Sequence, residues 1–327
     1  TVLPAPDCDL TPGLVVHLRF DGDYADSAGY GVVGLPVNSP SFEAGKIGQA
    51  VRITTTKDGV VNNYVSLGYP SVLNFGSDAT GDTTDFSVAF WTKIFHQADD
   101  QPFLSNKNWD AGGNLGWVIN TENDGMKWNL KDSLNGRRDS PDVGNQLNDG
   151  SFHHVAVTFR RRSLAAIYVD GAPVSVTSMA PDAGNPVGSL DTDTSGFNVN
   201  IGQDGRGTYT DGGRAEVDMI MDDVGIWRRA LTEVEVACLF IRGQQGQALP
   251  TLGPRLTLTT LSFGDVNISW SPNLTGFVLE SCKTLGPDAA WTPVDPALIL
   301  NNTLTISPCC DSDYPNSRFF RLRPANP

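Results

Sequence analysis

The 327-residue sequence predicts a nearly all-β chain of two domains, and three observations carry that reading. Short runs rich in Val, Ile and aromatic residues recur along the whole chain, and clusters of Gly, Asp, Asn and Pro separate them. With 34 Gly and 21 Pro, long helices have little room. One segment, GQQGQALPTLGP (243–254), breaks the strand pattern with polar, Gly- and Pro-punctuated residues and reads as a linker. Many short strands joined by turn signals predict sandwiches on either side of it.

In chain order, strands are predicted at Leu14–Phe20, Phe86–Ile94, Trp117–Asn120, His154–Phe159, Ala165–Val169, Asn198–Ile201 and Met219–Trp227. Within Ser87–Ile94, Val88, Phe90 and Thr92 fall on one face and Ala89, Trp91 and Lys93 on the other. Apolar residues on both faces predict an inner strand covered on both sides. Asp170–Gly171, between IYV and APV, predicts a tight hairpin, because Asp-Gly tolerates the positive φ angles of a type I′ turn. His153 and His154 are neighbours at the start of a strand, so their side chains point to opposite faces and cannot share a ligand. A single short helix is predicted over Leu231–Ile241, with Thr232 as cap, Glu235 three residues later, and apolar residues at Val234, Ala237, Cys238 and Ile241. The organisation is therefore an N-terminal extension (1–13), a first domain (14–242), a linker (243–254) and a smaller β-domain (255–327). Strands in the last of these are predicted at Leu256–Leu261, Val266–Trp270, Phe277–Cys282, Leu304–Ile306 and Arg318–Leu322.

Charge and cysteine usage narrow the function classes. The net charge of −14 repels phosphate backbones, so nucleic acid is excluded as an expected partner, whereas divalent cations, basic proteins and neutral glycans are not. The longest apolar stretches, such as Val234–Ile241, are too short to cross a bilayer, and Glu235 interrupts this one, so no membrane insertion is expected. The chain opens on Thr1 rather than Met, as a secreted protein does after its leader is removed; a trimmed chain would open the same way. Cysteines stand at 8, 238, 282, 309 and 310, with no CxxC pair and no His at zinc-site spacing. Disulfides and an oxidising compartment are the expectation, with one thiol left over.

Residues 14–241 resemble the laminin-G-like, concanavalin-A-like jelly-roll family. The resemblance rests on an ordered set of motifs: LRFDGDYADSAG (18–29), GKIGQAVRI (45–53), YVSLG (64–68), FSVAFWTKI (86–94), HHVAVTF (153–159), IYVDGAPV (167–174), VNIGQDG (199–205) and MDDVGIWRRALTEVEV (221–236). It implies two antiparallel sheets packed face to face, with the first and last strands adjacent. Asp21, Asp23 and Asp26 follow the first strand, and Asp222 and Asp223 open the last, so adjacency would bring these carboxylates together. The family often carries a structural Ca²⁺ there, and its motif maps onto Asp21, Asp26 and Asp222, with Asp23 alongside; hard carboxylate oxygens are what that ion requires. The alternative is that these acids are solvated turn and strand-end residues. The same adjacency would place Cys8 within bridging range of Cys238. Cys282 then pairs with Cys309 or Cys310, since neighbouring cysteines rarely bridge each other.

The segment after the linker resembles small fibronectin-type-III-like domains of secreted bacterial proteins, on VNISW (266–270), GFVLESCKTLGPDAAWTPV (276–294) and RFFRLR (318–323). Such domains have a further strand after RFFRLR, so the strand holding Arg318, Phe320 and Leu322 is expected to be an open edge. Thr1, Val2 and Leu3, in a segment belonging to no strand of the first domain, could complete a neighbour's edge and drive head-to-tail assembly with self. Trp109 and Trp128 lie among polar, Gly-rich residues and are the candidates for an exposed, glycan-stacking rim. Sequons at Asn267, Asn273 and Asn301 are weak signals.

No GxSxG, HExxH or P-loop signature is present, no GxGxxG stands at a strand-to-helix junction, and the ExDxE-like carboxylate pattern of jelly-roll glycosidases is missing. The expectation is a non-catalytic, secreted structural or adhesive protein that assembles as a surface fibre. The alternative is a calcium-dependent, lectin-like module for surface glycans or proteins, with a carbohydrate-active enzyme as the third reading.

Overall fold

The neighbours of Phe86–Gln97 explain why that segment is apolar on both faces. The computed structural model describes residues 8–325 except 83, 98, 124, 145–146, 192–196, 211–215, 262–263, 273, 275, 286–288 and 308–317. Thr1, Val2, Leu3, Cys309, Cys310 and the Asn273 sequon therefore lie outside the described residues. The first of two compact units comprises residues 1–27 and 33–250; the second comprises 28–32 and 251–327.

In chain order the first unit contains β1 (Leu14–Leu18), β2 (Leu35–Val37), β3 (Ser41–Ala44), β4 (Gln49–Thr55), β5 (Tyr64–Ser66), β6 (Phe86–Gln97), β7 (Pro102–Ser105) and β8 (Gly116–Glu122). There follow β9 (Gly125–Lys131), β10 (Arg138–Asp139), β11 (Phe152–Arg160), β12 (Leu164–Val169), β13 (Ala172–Ser178), β14 (Asn200–Ile201) and β15 (Val217–Trp227). One sheet runs β13-β12-β11-β6-β15-β4-β3, with β1 also paired to β15; the other runs β10-β9-β8-β7-β14-β5-β2. Pairing is antiparallel, and the first and last strands are joined, with Leu14 opposite Trp227 and Leu18 opposite Val224.

Alternation on β6 sorts its side chains as the sequence predicts. Phe86 packs on Phe75 (ring centroids 4.0 Å), Phe159 (4.3 Å) and Trp117 (5.5 Å), and Phe90 meets Phe103 at 5.2 Å, so this face fills the space between the sheets. Burying each aromatic side chain here contributes about 2–5 kcal/mol. The opposite face is covered by helix α1 (Glu233–Gln244). Its Phe240 stacks on Trp91 at 5.8 Å, and a Cβ on Gly243 would come within 2.4 Å of Trp91 Nε1, so only glycine lets the helix approach this closely. α1 starts where predicted: Thr232 accepts from the Glu235 N–H and the Glu235 side chain reaches back, forming the capping box. The Asp170–Gly171 turn has φ of 50° and 79°, as a type I′ hairpin between β12 and β13 requires.

The second unit is a smaller pair of sheets. β16 (Thr257–Thr260), β17 (Val266–Ser269), β20 (Ile299–Leu300) and β21 (Thr303–Ile306) pair in the order β16-β17-β21-β20. β18 (Phe277–Cys282), β19 (Thr292–Pro293) and β22 (Phe319–Pro324) pair in the order β19-β18-β22. Its core is Ile268, Leu279, Val294, Leu304 and Ile306.

Candidate functional site

Asp222 and Asp223 do not open β15, as the sequence suggested, but sit in its middle at a bulge. The register against β6 shifts between Asp222 and Gly225, and Asp223 has φ of 46°. In a regular strand neighbouring side chains diverge; a bulge re-aims one of them. Here it leaves the two carboxyls side by side and largely buried. Asp222 Oδ2 accepts from the Ile47 N–H at 2.9 Å, and Asp223 Oδ1 lies 2.9 Å from His17 Nε2. On the far side of the imidazole, Ser27 Oγ is 2.5 Å from Nδ1. Gly45 closes the cradle: a Cβ there would fall 2.5 Å from Asp222 Oδ2.

Burial sets the electrostatics. It pushes the Asp222 carboxyl up to about 8, helped by the neighbouring Asp223 charge, and the Asp223 carboxyl up to about 7. The same burial pushes His17 down to about 4, so its imidazole is neutral at physiological pH. A neutral ring accepting at Nδ1 from Ser27 and donating from Nε2 to Asp223 satisfies this chain of contacts. Two buried oxygens, Asp222 Oδ1 and Asp223 Oδ2, have no hydrogen-bond partner.

The structure does not bring Asp21, Asp23, Asp26 and Asp222 into one ligand set. Asp21 Oδ1 accepts from the Gln49 N–H at 2.8 Å, exposed Asp23 caps the Ala25 N–H at 3.0 Å, and Asp26 Oδ1 accepts from the His17 N–H at 2.9 Å. Each is held as a turn or strand-end acceptor. Among the described residues, no group of three or more His, Cys, Asp or Glu side chains is arranged to hold a metal ion. The feature that suits a cation is the Asp222–Asp223 pair, with its two uncommitted oxygens.

Ser27, His17 and Asp223 have the connectivity of a nucleophile–base–acid relay. Their surroundings differ from an active site. His17 is fully buried, and the cavity beside it, lined by Trp91, His154, Trp227 and Leu249 among others, measures about 20 Å³, room for about one water. A second recess in the first unit measures about 400 Å³ and is lined by Cys8, Asp9, Thr11, Arg19, Arg242 and Pro250, among others. That size falls within the range of small-molecule sites.

Trp109 and Trp128 do not form an exposed rim. Trp128 is fully buried and meets Phe159 edge-on at 5.3 Å; Trp109 is 5% exposed, clustered with Val118 and Tyr209. For Trp128 the polar neighbours in sequence misled because, on β9, they point the other way, whereas Trp109 lies in a turn after β7. Cys8 and Cys238 do meet: the Cys238 thiol is hydrogen-bonded to Cys8, and burial pushes it up to about 12. Among the described residues no disulfide is formed, and buried Cys282 Sγ donates to the Thr284 carbonyl at 3.3 Å. Phe320 and Leu322 lie on β22, opposite Ser281 and Leu279 of β18, and Arg318, just before β22, donates to Ser281 Oγ at 3.0 Å. β22 is the last strand in the described order of its sheet. Ser27 carried no signal in the sequence: it meets His17 because the chain folds back after β1, and the β1–β15 pairing then brings Asp223 to the same ring.

Residues 61–237, more than half of the chain, match the laminin G 3 family model, described as the concanavalin A-like lectin/glucanases superfamily. No curated protein matches. Among solved structures, the binding domain of Paraclostridial Mosquitocidal Protein 1 aligns with a TM-score of 0.54 at 17% identity, covering 88% of this chain and 68% of that one. The botulinum neurotoxin serotype D/C binding domain aligns with a TM-score of 0.50 at 13% identity, covering 88% and 79%. For the serotype G binding domain the values are 0.50, 13%, 84% and 69%. At these identities the likeness is one of fold.

Proposed function

Since this chain belongs to the concanavalin A-like lectin/glucanase superfamily, we propose that it is a non-catalytic, extracellular binding module for surface glycans or proteins. One observation carries the reading. The hydrogen-bonded relay that could do covalent chemistry faces a water-sized cavity, whereas the recess large enough for a sugar has no such relay in its lining. Arg19 and Arg242, with Asp9 and Thr11, give that recess donors and acceptors for hydroxyl or carboxylate groups. A bound Ca²⁺ would be held by Asp222 and Asp223 together with backbone carbonyl oxygens, and would neutralise two carboxylates that burial otherwise keeps protonated. Its role would be structural.

Glycan-array binding by the full chain, compared with Arg242→Ala of unchanged circular dichroism, tests the assignment. Loss of at least tenfold in affinity for the best ligand is expected. Turnover of any polysaccharide, abolished by one Asp, Glu or Ser substitution, would overturn it.

A second reading, a self-assembling surface-fibre subunit, draws support from the position of β22 at the end of its sheet, where strand addition from residues 1–6 of a neighbour could occur. Filaments in negative stain that vanish when residues 1–6 are deleted are its expected signature. Discrete particles at high concentration would rule it out.

A further inference from the structure

The second sheet of the first unit carries a buried lysine that the binding function does not use. Lys107 follows β7 and is fully buried, as is Asn129 on β9. Its Nζ donates to Asn129 Oδ1 and to the Gly112 carbonyl (3.0 Å), and lies 5.3 Å from the centre of the Trp109 ring. The backbone is fixed at both ends: the Lys107 N–H donates to Ser105 Oγ at 3.1 Å, and its carbonyl accepts from the Gly205 N–H at 2.8 Å. Gly116, at φ of 116°, makes the close approach feasible, since a Cβ there would stand 2.7 Å from Lys107 Cβ. The third member is Asp139 on β10, directly opposite Asn129 in the ladder. Asp139 Oδ1 accepts from Asn129 Nδ2 at 2.8 Å, and Arg137 clamps the carboxylate through two hydrogen bonds of 2.7 and 2.8 Å.

This is an amine against the carbonyl of a carboxamide, with a carboxylate on the nitrogen that would leave. We propose that Lys107 and Asn129 react after folding to form an intramolecular isopeptide bond, with Asp139 relaying the proton. The Nζ lone pair attacks Asn129 Cγ, forming the Cγ–Nζ bond. Asp139 takes a proton from Nζ and delivers it to Nδ2; the Cγ–Nδ2 bond breaks and ammonia departs. Amine plus carboxamide gives secondary amide plus ammonia, so atoms and charge balance with no oxidant, reductant or cofactor. The attacking amine must be neutral, and here burial pushes Lys107 down to about 7, so a large share carries a free lone pair at physiological pH. Fixed geometry supplies the remainder, since held reactants act at very high effective concentration. The bond would tie the loop after β7 to β9, across the partner strand β8.

The test is mass spectrometry of the folded full chain, denatured and reduced before analysis. The expected result is an intact mass below the sequence mass by one ammonia, and a proteolytic map in which the peptides containing Lys107 and Asn129 are joined. Asp139 is half-exposed, so Asp139→Asn leaves a folded chain; it is expected to show the full sequence mass and two separate peptides. Two results would overturn the proposal. One is a folded wild-type chain at full mass with separate peptides. The other is an ammonia loss confined to a single peptide, as succinimide formation at Asn135–Gly136 would produce.

Discussion

Placing two adjacent carboxyls in a buried bulge has a measurable consequence for stability. Consider the protein in a chelator, unfolded with urea at pH 5, 6, 7 and 8. Burial raises Asp222 and Asp223 from an ordinary value of 3.8 to about 8 and about 7, so the native state holds protons that the unfolded chain releases. The stability this pair allows is fully present below about pH 4 and is lost as pH rises through 7 to 8. Buried His17 and His154, both pushed down to about 4, act with the opposite sign between 4 and 6.5. An Asp222→Asn/Asp223→Asn double variant keeps both histidines, so subtracting its pH profile isolates the pair. Each retained proton changes the difference by about 1.4 kcal/mol per pH unit. Between pH 5 and 7, wild type should therefore fall relative to the double variant by about 3 kcal/mol if one proton is held, and by about twice that if both are. Saturating Ca²⁺ should reverse the slope, because the metal competes with protons for the same oxygens. A difference that stays flat from pH 5 to 7 would refute the buried-pair argument. Equal stabilisation of wild type and double variant by Ca²⁺ would remove the metal from this place.

Two further outcomes are expected. Burial alone would lower His153, but hydrogen bonds to Asp170 (2.8 Å) and Asp149 (3.0 Å) outweigh it and raise its pKa; its contribution to stability is thus complete below about 6.5 and lost above the raised value, and an NMR titration placing His153 below 6.5 would contradict this. Cys8 and Cys238 should be disulfide-linked in protein purified without reductant, so that adding reductant lowers the melting temperature by several degrees; a non-reducing peptide map without that link would dispose of the idea.

Much of the architecture was legible because it rests on local rules. The two-faced alternation of β6, the Asp-Gly hairpin and the Thr232–Glu235 capping box each declare themselves within about ten residues, and each holds in the structure. The burial of Trp128 was also written in the sequence: Met126, Trp128 and Leu130 alternate with polar residues, and all three are buried. Counting polar neighbours instead of following that alternation pointed outward. The site was less readable. Whether Asp222 and Asp223 diverge or converge depends on a bulge fixed by pairing with β6, the meeting of His17 with Asp223 depends on the β1–β15 pairing, and that of Lys107 with Asn129 depends on the order β7-β8-β9. Periodicity carries no information about such meetings.

The β1–β15 ladder also decides how the first unit would respond to being pulled. Leu14, where the chain enters, faces Trp227, where β15 ends, so tension applied across the domain reaches this one end of the ladder first. Hydrogen bonds there would break in succession, as a zipper opens, instead of resisting together in shear. Cys8 and Cys238 lie just outside that end; a covalent link between them would carry the load past the ladder and leave the sandwich unstrained.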